Sequence, residues 1–546
     1  MRKINLSVII LLSFCFQSAK GQNVAQVWAS CSPDTLKSIY LNDMASDSLG
    51  NTYYTGYKQD SAYYAFTHFV LMKFSKDGAF EWVKSYPFPA LDSFEKGNAV
   101  AIDKYGNVFV TGSRSDSFCN ICTQSVKEED QFTIKYSPVG TLLWINRYKG
   151  PKNTLQSPTK MIVLDNGNIL VAGTEELYNN KTYDYTSYGY LHRINRNGRS
   201  VYVRKVKDLR MGSFAVDKNN EIVFGGLLLE QNLYQLGKVF IAKYSYTGDS
   251  LWSRKFVEPQ KNGGVRFLKT DQSNNIYVMA QTDTITFYNH PRVMIMKYNP
   301  QGALLWYKKE PDHSYCNFST SALHVDKNGN AFLATFLEPA SSYNRNWLIS
   351  KYSSNGIHNW SYEFKDSVNT SENSNGIVGD DQSNIYVSGV AGKAYNTYMY
   401  GTLALDSNGN KKWLKLYTSA NRTNNFPVGI ALAGGSIYTG GIASKGVCVV
   451  KYNLPSIAPK IEKQLQEENV EVFPNPAINY LQISTSPSDK KRIIFVYNSA
   501  GILVRQQTLI PGTKKLIIPI ADLTSGLYFV KLNDHKKREP VRFIKK

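Results

Sequence analysis

A stretch from Asp103 to Gly112, DKYGNVFVTG, constrains this chain more than any other feature, because variants of it recur along most of the sequence. A turn containing Gly or Asn, followed by alternating β-branched and aromatic residues, predicts a β-hairpin. Counterparts begin at Asp47, Asp165, Asp217, Asp271, Asp326 and Asp381, and a more divergent copy begins at Ala433. The recurrence predicts a repeated β-architecture.

A second pattern follows each hairpin: a short apolar run, usually Lys-Tyr, a Gly turn and a strand bearing Trp, as in IAKYSYTGDSLWSRKF from Ile241. Related segments begin at Leu71, Thr133, Leu191, Ile295, Ile349 and Leu403. In the Leu191 copy, Tyr202 replaces Trp. One unit therefore contains four antiparallel strands, and its period of roughly 56 to 61 residues is typical of a β-propeller.

Eight hairpins and eight Lys-Tyr-type strands predict an eight-bladed β-propeller, with a seven-bladed ring and one irregular unit as the alternative. The last unit, from Val447, has no Trp strand after it. A strand near the N-terminus, VAQVWAS from Val24, contains Trp28. We expect this strand to complete the last blade and to close the ring.

The repeated Trp residues are expected to pack between blades, because a large ring at the same place in every repeat is what a blade interface requires. They are Trp82, Trp144, Trp252, Trp306, Trp360 and Trp413. The Asp-containing turns could suggest calcium, but Leu337 stands where a calcium loop starting at Asp326 needs an acidic ligand. Turn formation is therefore the expected role of these Asp residues.

The N-terminal segment predicts export. Arg2 and Lys3 precede an apolar run from Ile4 to Phe16, which predicts a signal peptide over residues 1–21 with cleavage before Gln22. No later segment has the length of a transmembrane helix. The net charge of +20 is spread along the chain, which argues against a nucleic-acid partner.

Cysteine usage does not predict a disulfide scaffold. Without Cys15 five cysteines remain, an odd and small number for this length. Cys119 and Cys122 have C-x-x-C spacing within a predicted loop, where a local disulfide is favoured over a redox or zinc site.

The domain prediction is a propeller over 22–455, a polar linker over 456–469 and a β-sandwich of about seven short strands over 470–546.

The segment from Val472 to Lys546 resembles the type A C-terminal sorting domain of the type IX secretion system. The motifs that carry the resemblance occur in the family's order and include Phe473, Pro474, Asn475, Pro476, Tyr497, Gly501, Gly526, Leu527, Tyr528, Lys545 and Lys546. The resemblance implies passage through the periplasm, recognition by the type IX machinery, and release or attachment at the outer-membrane cell surface. The repeats also resemble bacterial propeller repeats found in front of such tails.

No catalytic motif is recognised. G-x-S-x-G, H-E-x-x-H and the phosphate-binding G-x-x-x-x-G-K-[ST] are absent, so no catalytic, cofactor-binding or metal-ligating residue is predicted. The repeats faintly resemble quinone-dependent dehydrogenases but lack the adjacent cysteine pair and acidic cluster of those enzymes, so no cofactor is expected. Two functions remain open: a non-enzymatic module that binds a glycan or protein, and a polysaccharide hydrolase or lyase with its site at the channel mouth. Three segments that break the repeat are the expected functional loops: Ser113 to Asp130, Leu177 to Tyr190 and Tyr395 to Tyr400.

Overall fold

The structure is a computed structural model, and it forms two compact units, Met1–Pro455 and Ser456–Lys546. It describes residues 26–33, 36, 38–59, 67–86, 94–115, 129–179, 184–229, 237–256, 261–284, 292–310, 314–315, 322–337, 345–365, 373–394, 397–419, 425–443, 446–454, 471–485, 491–533 and 540–546. The predicted signal peptide, the Cys119–Cys122 pair and the predicted linker lie outside these ranges. Within them, every regular element is a β-strand, so the predicted all-β class is confirmed.

The strands of the first unit, in chain order, are β1 Gln26–Cys31; β2 Ile39–Ser46, β3 Thr52–Gln59, β4 Thr67–Phe74, β5 Phe80–Lys84; β6 Phe94–Ile102, β7 Val108–Ser115, β8 Glu129–Tyr136, β9 Leu142–Tyr148; β10 Thr154–Val163, β11 Ile169–Asn179, β12 Asp184–Ile194, β13 Ser200–Lys207; β14 Leu209–Val216, β15 Ile222–Leu229, β16 Gly237–Tyr244, β17 Ser250–Phe256; β18 Lys261–Thr270, β19 Ile276–Thr284, β20 Arg292–Tyr298, β21 Leu304–Lys309; β22 Ser314–Tyr315, β23 Ala322–Val325, β24 Ala331–Leu337, β25 Asn346–Tyr352, β26 His358–Phe364; β27 Asn373–Gly379, β28 Ile385–Ala394, β29 Thr397–Leu405, β30 Lys411–Tyr417; β31 Phe426–Ala433, β32 Ser436–Ala443 and β33 Gly446–Asn453.

Consecutive strands pair antiparallel in sets of four, and the set from β23 to β26 also includes the short β22, which pairs with β24. Single parallel bridges, Thr67 to Phe94 and Glu129 to Leu155, join the first three sets. The first strands of successive sets lie beside one another, from β2 through β6, β10, β14, β18, β23 and β27 to β31, and β31 lies beside β2. This is a β-propeller arrangement, and we call these eight strands the innermost strands. The number of blades, eight or seven, stays a prediction, because parts of the chain lie outside the described residues.

The N-terminal strand pairs as predicted. β1 is antiparallel to β33, with Gln26 opposite Tyr452 and Cys31 opposite Cys448. A strand from one end of the unit therefore completes the sheet of β31, β32 and β33 from the other end. The prediction is confirmed over the described part of the segment.

A disulfide that sequence reasoning missed reinforces this pairing. Cys31 and Cys448, 417 positions apart, face each other across β1 and β33 and form a disulfide bond. The sequence analysis predicted only that disulfides do not form the scaffold, and it did not predict this pair. A count of cysteines carries no information about which two the strand pairing brings together.

The repeated Trp residues lie between sheets, as expected. The indole of Trp306 lies against the turn glycine Gly356 of the next sheet, and its Nε1 donates to the Ser354 carbonyl at 3.1 Å. The same contact with a turn glycine of the following sheet is made by Trp82, Trp144, Trp252 and Trp360, by Tyr202 in the Trp-less repeat, and by Trp28, which links the last sheet to the first. These rings pack against the neighbouring sheet, so they are not available to stack on a ligand.

The Asp-containing turns are held together by their own side chains. In the turn at Asp326, one carboxylate oxygen accepts the backbone N–H groups of Asn328 and Asn330, at 2.9 and 2.8 Å. The other accepts the Asn330 amide and the Ser383 hydroxyl, both at 2.8 Å. The carboxylate is thus saturated by local donors, which explains the repeat without a bound cation.

The second unit contains two sheets around one core. Its strands are β34 Glu471–Phe473, β35 Tyr480–Ser484, β36 Arg492–Asn498, β37 Leu503–Leu509, β38 Lys515–Pro519, β39 Gly526–Asn533 and β40 Val541–Lys545. β34, β35 and β38 form one sheet, and β37, β36, β39 and β40 form the other. Buried side chains of both sheets, including Leu481, Ile518, Val496 and Phe543, form a single cluster.

Candidate functional site

A β-bulge occurs at a matching place in seven innermost strands of the described chain. The paired register skips one residue in each, namely Asn42, Asn98, Thr159, Gly212, Arg266, Asn375 and Val428. A bulge disrupts the ladder and redirects a side chain, and bulges are frequent beside functional sites. Here they face the centre of the ring, and no sequence motif singled out any of the seven bulged residues.

Three of the bulged residues connect neighbouring sheets. The side-chain amides of Asn42, Asn98 and Asn375 donate to the carbonyls of Gly97, Pro158 and Pro427, at 2.8, 2.9 and 2.6 Å. Each acceptor directly precedes the bulged residue of the next innermost strand. The bulges therefore form part of a contact that holds adjacent sheets in register around the centre.

The innermost strands enclose a cavity of about 1250 Å³, which we call the channel cavity. Its wall includes the bulged residues together with residues from the strand ends opposite the Asp-containing turns, such as Tyr57, Glu176 and Gln281. The repeat-breaking segments predicted from the sequence join second and third strands, so antiparallel pairing places them at this same face. Their central parts lie outside the described residues.

Cationic side chains outnumber carboxylates on the described wall of the channel cavity. The cations are Lys96, Lys160, Arg210, Arg266 and Lys269, and the carboxylates are Asp43 and Glu176. Glu176 lies 3.5 Å from Arg210 Nε, so this carboxylate has a cationic partner. Asp43 accepts the backbone N–H groups of Met44 and Val100, both at 2.9 Å.

Three of these groups have shifted pKa values. Burial raises the pKa of Asp43 to about 6, against the lowering effects of its backbone hydrogen bonds and of Lys160. Burial lowers the pKa of Lys160 to about 7, and repulsion by Lys269 lowers it further. Burial also lowers the pKa of Lys269. An acid and an amine that both titrate near neutral pH therefore share one cavity.

The histidines of the described chain are held in structural contacts. His192 is fully buried between Gln131 and Ser200, and burial lowers its pKa to about 4. His324 lies against Gly379, and its pKa is also lowered to about 4 by burial. Both side chains are thus neutral at physiological pH. His313 lies outside the described residues.

One cluster has the composition of a hydrolytic triad without its geometry. Glu310 accepts from the Ser350 hydroxyl at 2.7 Å, Ser350 lies 3.0 Å from Ser361, and His358 Nε2 lies 2.7 Å from Ser361. A triad needs the carboxylate on the histidine, which it orients. Here the carboxylate contacts a serine, so the cluster does not supply an activated nucleophile.

The sorting-motif residues of the second unit meet at its C-terminal strand. Asn475 Oδ1 accepts the Ile544 backbone N–H at 2.9 Å, and the Lys546 N–H donates to the Ala477 carbonyl at 2.9 Å. Tyr528 stacks on Phe543, with ring centroids 5.5 Å apart. The opening motif, with Phe473, Pro474 and Pro476, is thereby joined to the chain end that contains Lys545.

The remaining motif residues hold turns and edges. Gly501, with φ of 77°, occupies a turn closed by its N–H to the Asn498 carbonyl, a conformation that glycine adopts without strain. Tyr497 lies in β36, before this turn, and is partly buried. Leu527 lies opposite Ile544, and the side chains of Leu527 and Ile544 are exposed. Gly526 begins β39. These contacts give the motif residues structural places, while their roles in secretion remain predictions.

No metal-binding cluster and no membrane-spanning helix is found in the part of the chain that the structure describes. There, no group of three His, Cys, Asp or Glu side chains is close enough to hold a metal ion. No helix in these ranges is long and apolar enough to cross a membrane.

The fold defines this chain as a β-propeller protein with an all-β C-terminal unit. Residues 471–546 match the family described as secretion system C-terminal sorting domain, so the chain carries a type IX sorting domain at its C-terminus. The recognition made from the motifs is confirmed. No curated protein matches the chain.

Several solved structures are similar in chain trace. The polysaccharide lyase Uly1 is 11% identical over 68% of this chain and 91% of its own, with a TM-score of 0.38. The β-propeller domain of the Trilobed protease from Pyrococcus furiosus is 10% identical over 67% and 97%, with a TM-score of 0.34. The C-terminal WD40 domain of Sif2 is 10% identical over 66% and 92%, with a TM-score of 0.30. Similarities at this level say nothing about activity.

Proposed function

We propose that this protein is a non-enzymatic binding module that holds a glycan or protein ligand at the channel cavity. The sorting domain implies export to the cell surface or the medium, where such ligands occur. The observation that supports the proposal is the cavity itself, which is large and central and whose wall includes polar side chains at the β-bulges. The nearest cluster to a catalytic constellation, around Glu310, lacks the geometry that hydrolysis needs.

A binding assay on the mature full-length protein tests this function. Immobilised polysaccharides, both neutral and acidic, are incubated with the protein, and depletion of protein from solution is measured. We expect selective depletion by one class of polysaccharide, without release of shorter products. Equal retention on all matrices, or none, would contradict glycan binding and would leave a protein ligand to be sought.

The second candidate is a polysaccharide lyase with its site at the channel mouth. It is favoured by Lys160, whose pKa of about 7 leaves a substantial neutral fraction at physiological pH. A neutral amine can abstract a proton α to a carboxylate, and protonated Asp43 could return one to a leaving oxygen. Incubation with uronate polymers, followed by ultraviolet absorbance of unsaturated products, separates this candidate from binding. A Lys160→Gln variant should abolish such turnover if the lysine is the base.

The delivery function is tested by truncation at Asn469. We expect full-length protein at the surface or in the medium and the truncated protein in the periplasm, because only residues 471–546 match a sorting domain. Fractionation of cells expressing each form, with a periplasmic marker as control, gives the measurement. Equal export of both forms would assign the second unit some other role.

A further inference from the structure

The channel cavity carries an unbalanced charge that an anionic ligand would relieve. Of its two described carboxylates, Glu176 is engaged by Arg210, and Asp43 is engaged by backbone N–H groups and by attraction to Lys160. The five cations of the described wall still outnumber these two carboxylates. Lys160 and Lys269, in contrast, lie close enough to repel each other. Like charges near one another in a partly desolvated cavity raise the free energy of the empty state, and an anion between them lowers it.

Both lysines are available to a ligand. Lys160, on β10, donates to the Phe214 carbonyl at 2.9 Å, which uses one of its three donors and fixes its position. Lys269, on β18, lines the cavity and is accessible to solvent there, although the surrounding wall lowers the pKa of its amine. Nearer the mouth, Lys96 lies over the Tyr57 ring, 5.6 Å from its centroid, so a third cation adjoins an apolar surface. Cations thus extend along the cavity from its mouth inward.

The bulges argue against a polypeptide as the occupant. An extended peptide usually adds to a sheet through the free edge of a strand, by continuing the backbone ladder. In the described innermost strands that edge is interrupted by bulges, as at Asn98 and Asn375, which block strand addition. The ligand must therefore be recognised through side chains, at charges spaced along the wall.

From these observations we infer that the channel cavity binds an oligosaccharide whose uronate carboxylates pair with Lys160 and Lys269. The cavity volume of about 1250 Å³ exceeds that of most small-molecule sites, which fits several linked sugars rather than one. The inference rests on the proposed binding function and names the class of ligand. It also accounts for the position of the cations on the cavity wall rather than on the outer surface alone.

The test is calorimetric titration of the mature full-length protein with three kinds of probe. These are oligomers of galacturonate, glucuronate and mannuronate, the same oligomers after reduction of their carboxyl groups, and polyglutamate of matched length. We expect binding of at least one uronate oligomer, weakening with added salt, and loss of binding on carboxyl reduction. Lys160→Gln and Lys269→Gln should each weaken binding about tenfold, because each removes one charge-assisted contact.

The matched control is Lys104→Gln, which removes the same charge from an exposed turn outside the cavity wall. It should bind like the wild type, and all three variants should unfold at similar temperatures. Binding of carboxyl-reduced oligomers with equal affinity would overturn the uronate inference and leave the binding function standing. Binding of polyglutamate alone would replace the sugar by an acidic polypeptide. No binding of any probe would overturn the inference and weaken the glycan half of the proposed function.

Discussion

Removing the Cys31–Cys448 disulfide should destabilise the first unit without unfolding it. The perturbation is the double variant Cys31→Ala/Cys448→Ala, which keeps the register of β1 on β33 but removes the covalent link. Alanine is preferred to serine, since Cys448 is fully buried and a hydroxyl there would need a partner. The cross-link is expected to form because export brings the chain into an oxidising compartment.

The magnitude follows from the length of chain that the disulfide closes. A sequence separation of 417 residues gives about 6 kcal/mol at 25 °C by the chain-entropy model, as an upper estimate. A unit of this size has an unfolding entropy of about 0.9 kcal/mol/K, so the melting temperature should fall by up to about 7 °C. Deleting Gln26–Cys31 should cost more, because β33 also loses its ladder partner and Gly78 loses Trp28.

Thermal unfolding by circular dichroism, without reductant, compares wild type, double variant and deletion. Cys119→Ala/Cys122→Ala is the control, because a bridge across so short a loop would stabilise far less. A double variant that melts with the wild type would refute the cross-link as a stabilising element. A deletion no less stable than the double variant would refute closure of the ring by β1.

Three further outcomes are expected. The Trp306→Ala variant should have an unfolding free energy about 3–5 kcal/mol lower than the wild type and should still bind its ligand at low temperature. Loss of binding with unchanged stability would show instead that Trp306 stacks on the ligand. Because burial lowers the pKa of His192 to about 4, its neutral form stabilises the fold, and that stability should fall by about 3 kcal/mol as pH drops from 6.5 to 4. Urea midpoints that show the same pH slope in His192→Gln would contradict this. Limited proteolysis should cut first between residues 456 and 469, and a first cut inside a repeat would move the predicted boundary.

The repeat made most of the first unit predictable. Hairpin turns, the four-strand unit and the interface Trp residues recur, so each copy supports the interpretation of the other copies. Tyr202 occupies the position that Trp has in the other repeats, as the alignment of the repeats predicts. The pairing of Trp28's strand with the last sheet followed from counting strands. Periodic features of this kind depend on local turn chemistry and on alternation, which a sequence displays directly.

The channel cavity was not predictable in the same way. Asp43, Lys160 and Lys269 come from three different repeats and stand at positions where the other repeats have mostly small or apolar residues, so no motif marks them. The bulges that re-aim their neighbours shift the register by one residue, which hydrophobic alternation alone does not reveal. What brings these groups together is ring geometry, and that becomes visible only when the sheets are placed around one centre.

The two faces of the ring differ in how closely they follow the repeat. On the face of the Asp-containing turns, each sheet is fixed to the next by repeated contacts, such as Lys297 Nζ and Trp306 Nε1, which both donate to the Ser354 carbonyl. Variation there would break an interface, so this face repeats. The opposite face carries the repeat-breaking connections and the mouth of the cavity, where a change in one repeat leaves the interfaces intact. A ligand recognised by one arrangement of charges needs such non-equivalent repeats, which is why we propose ligand recognition at the channel cavity and the irregular face.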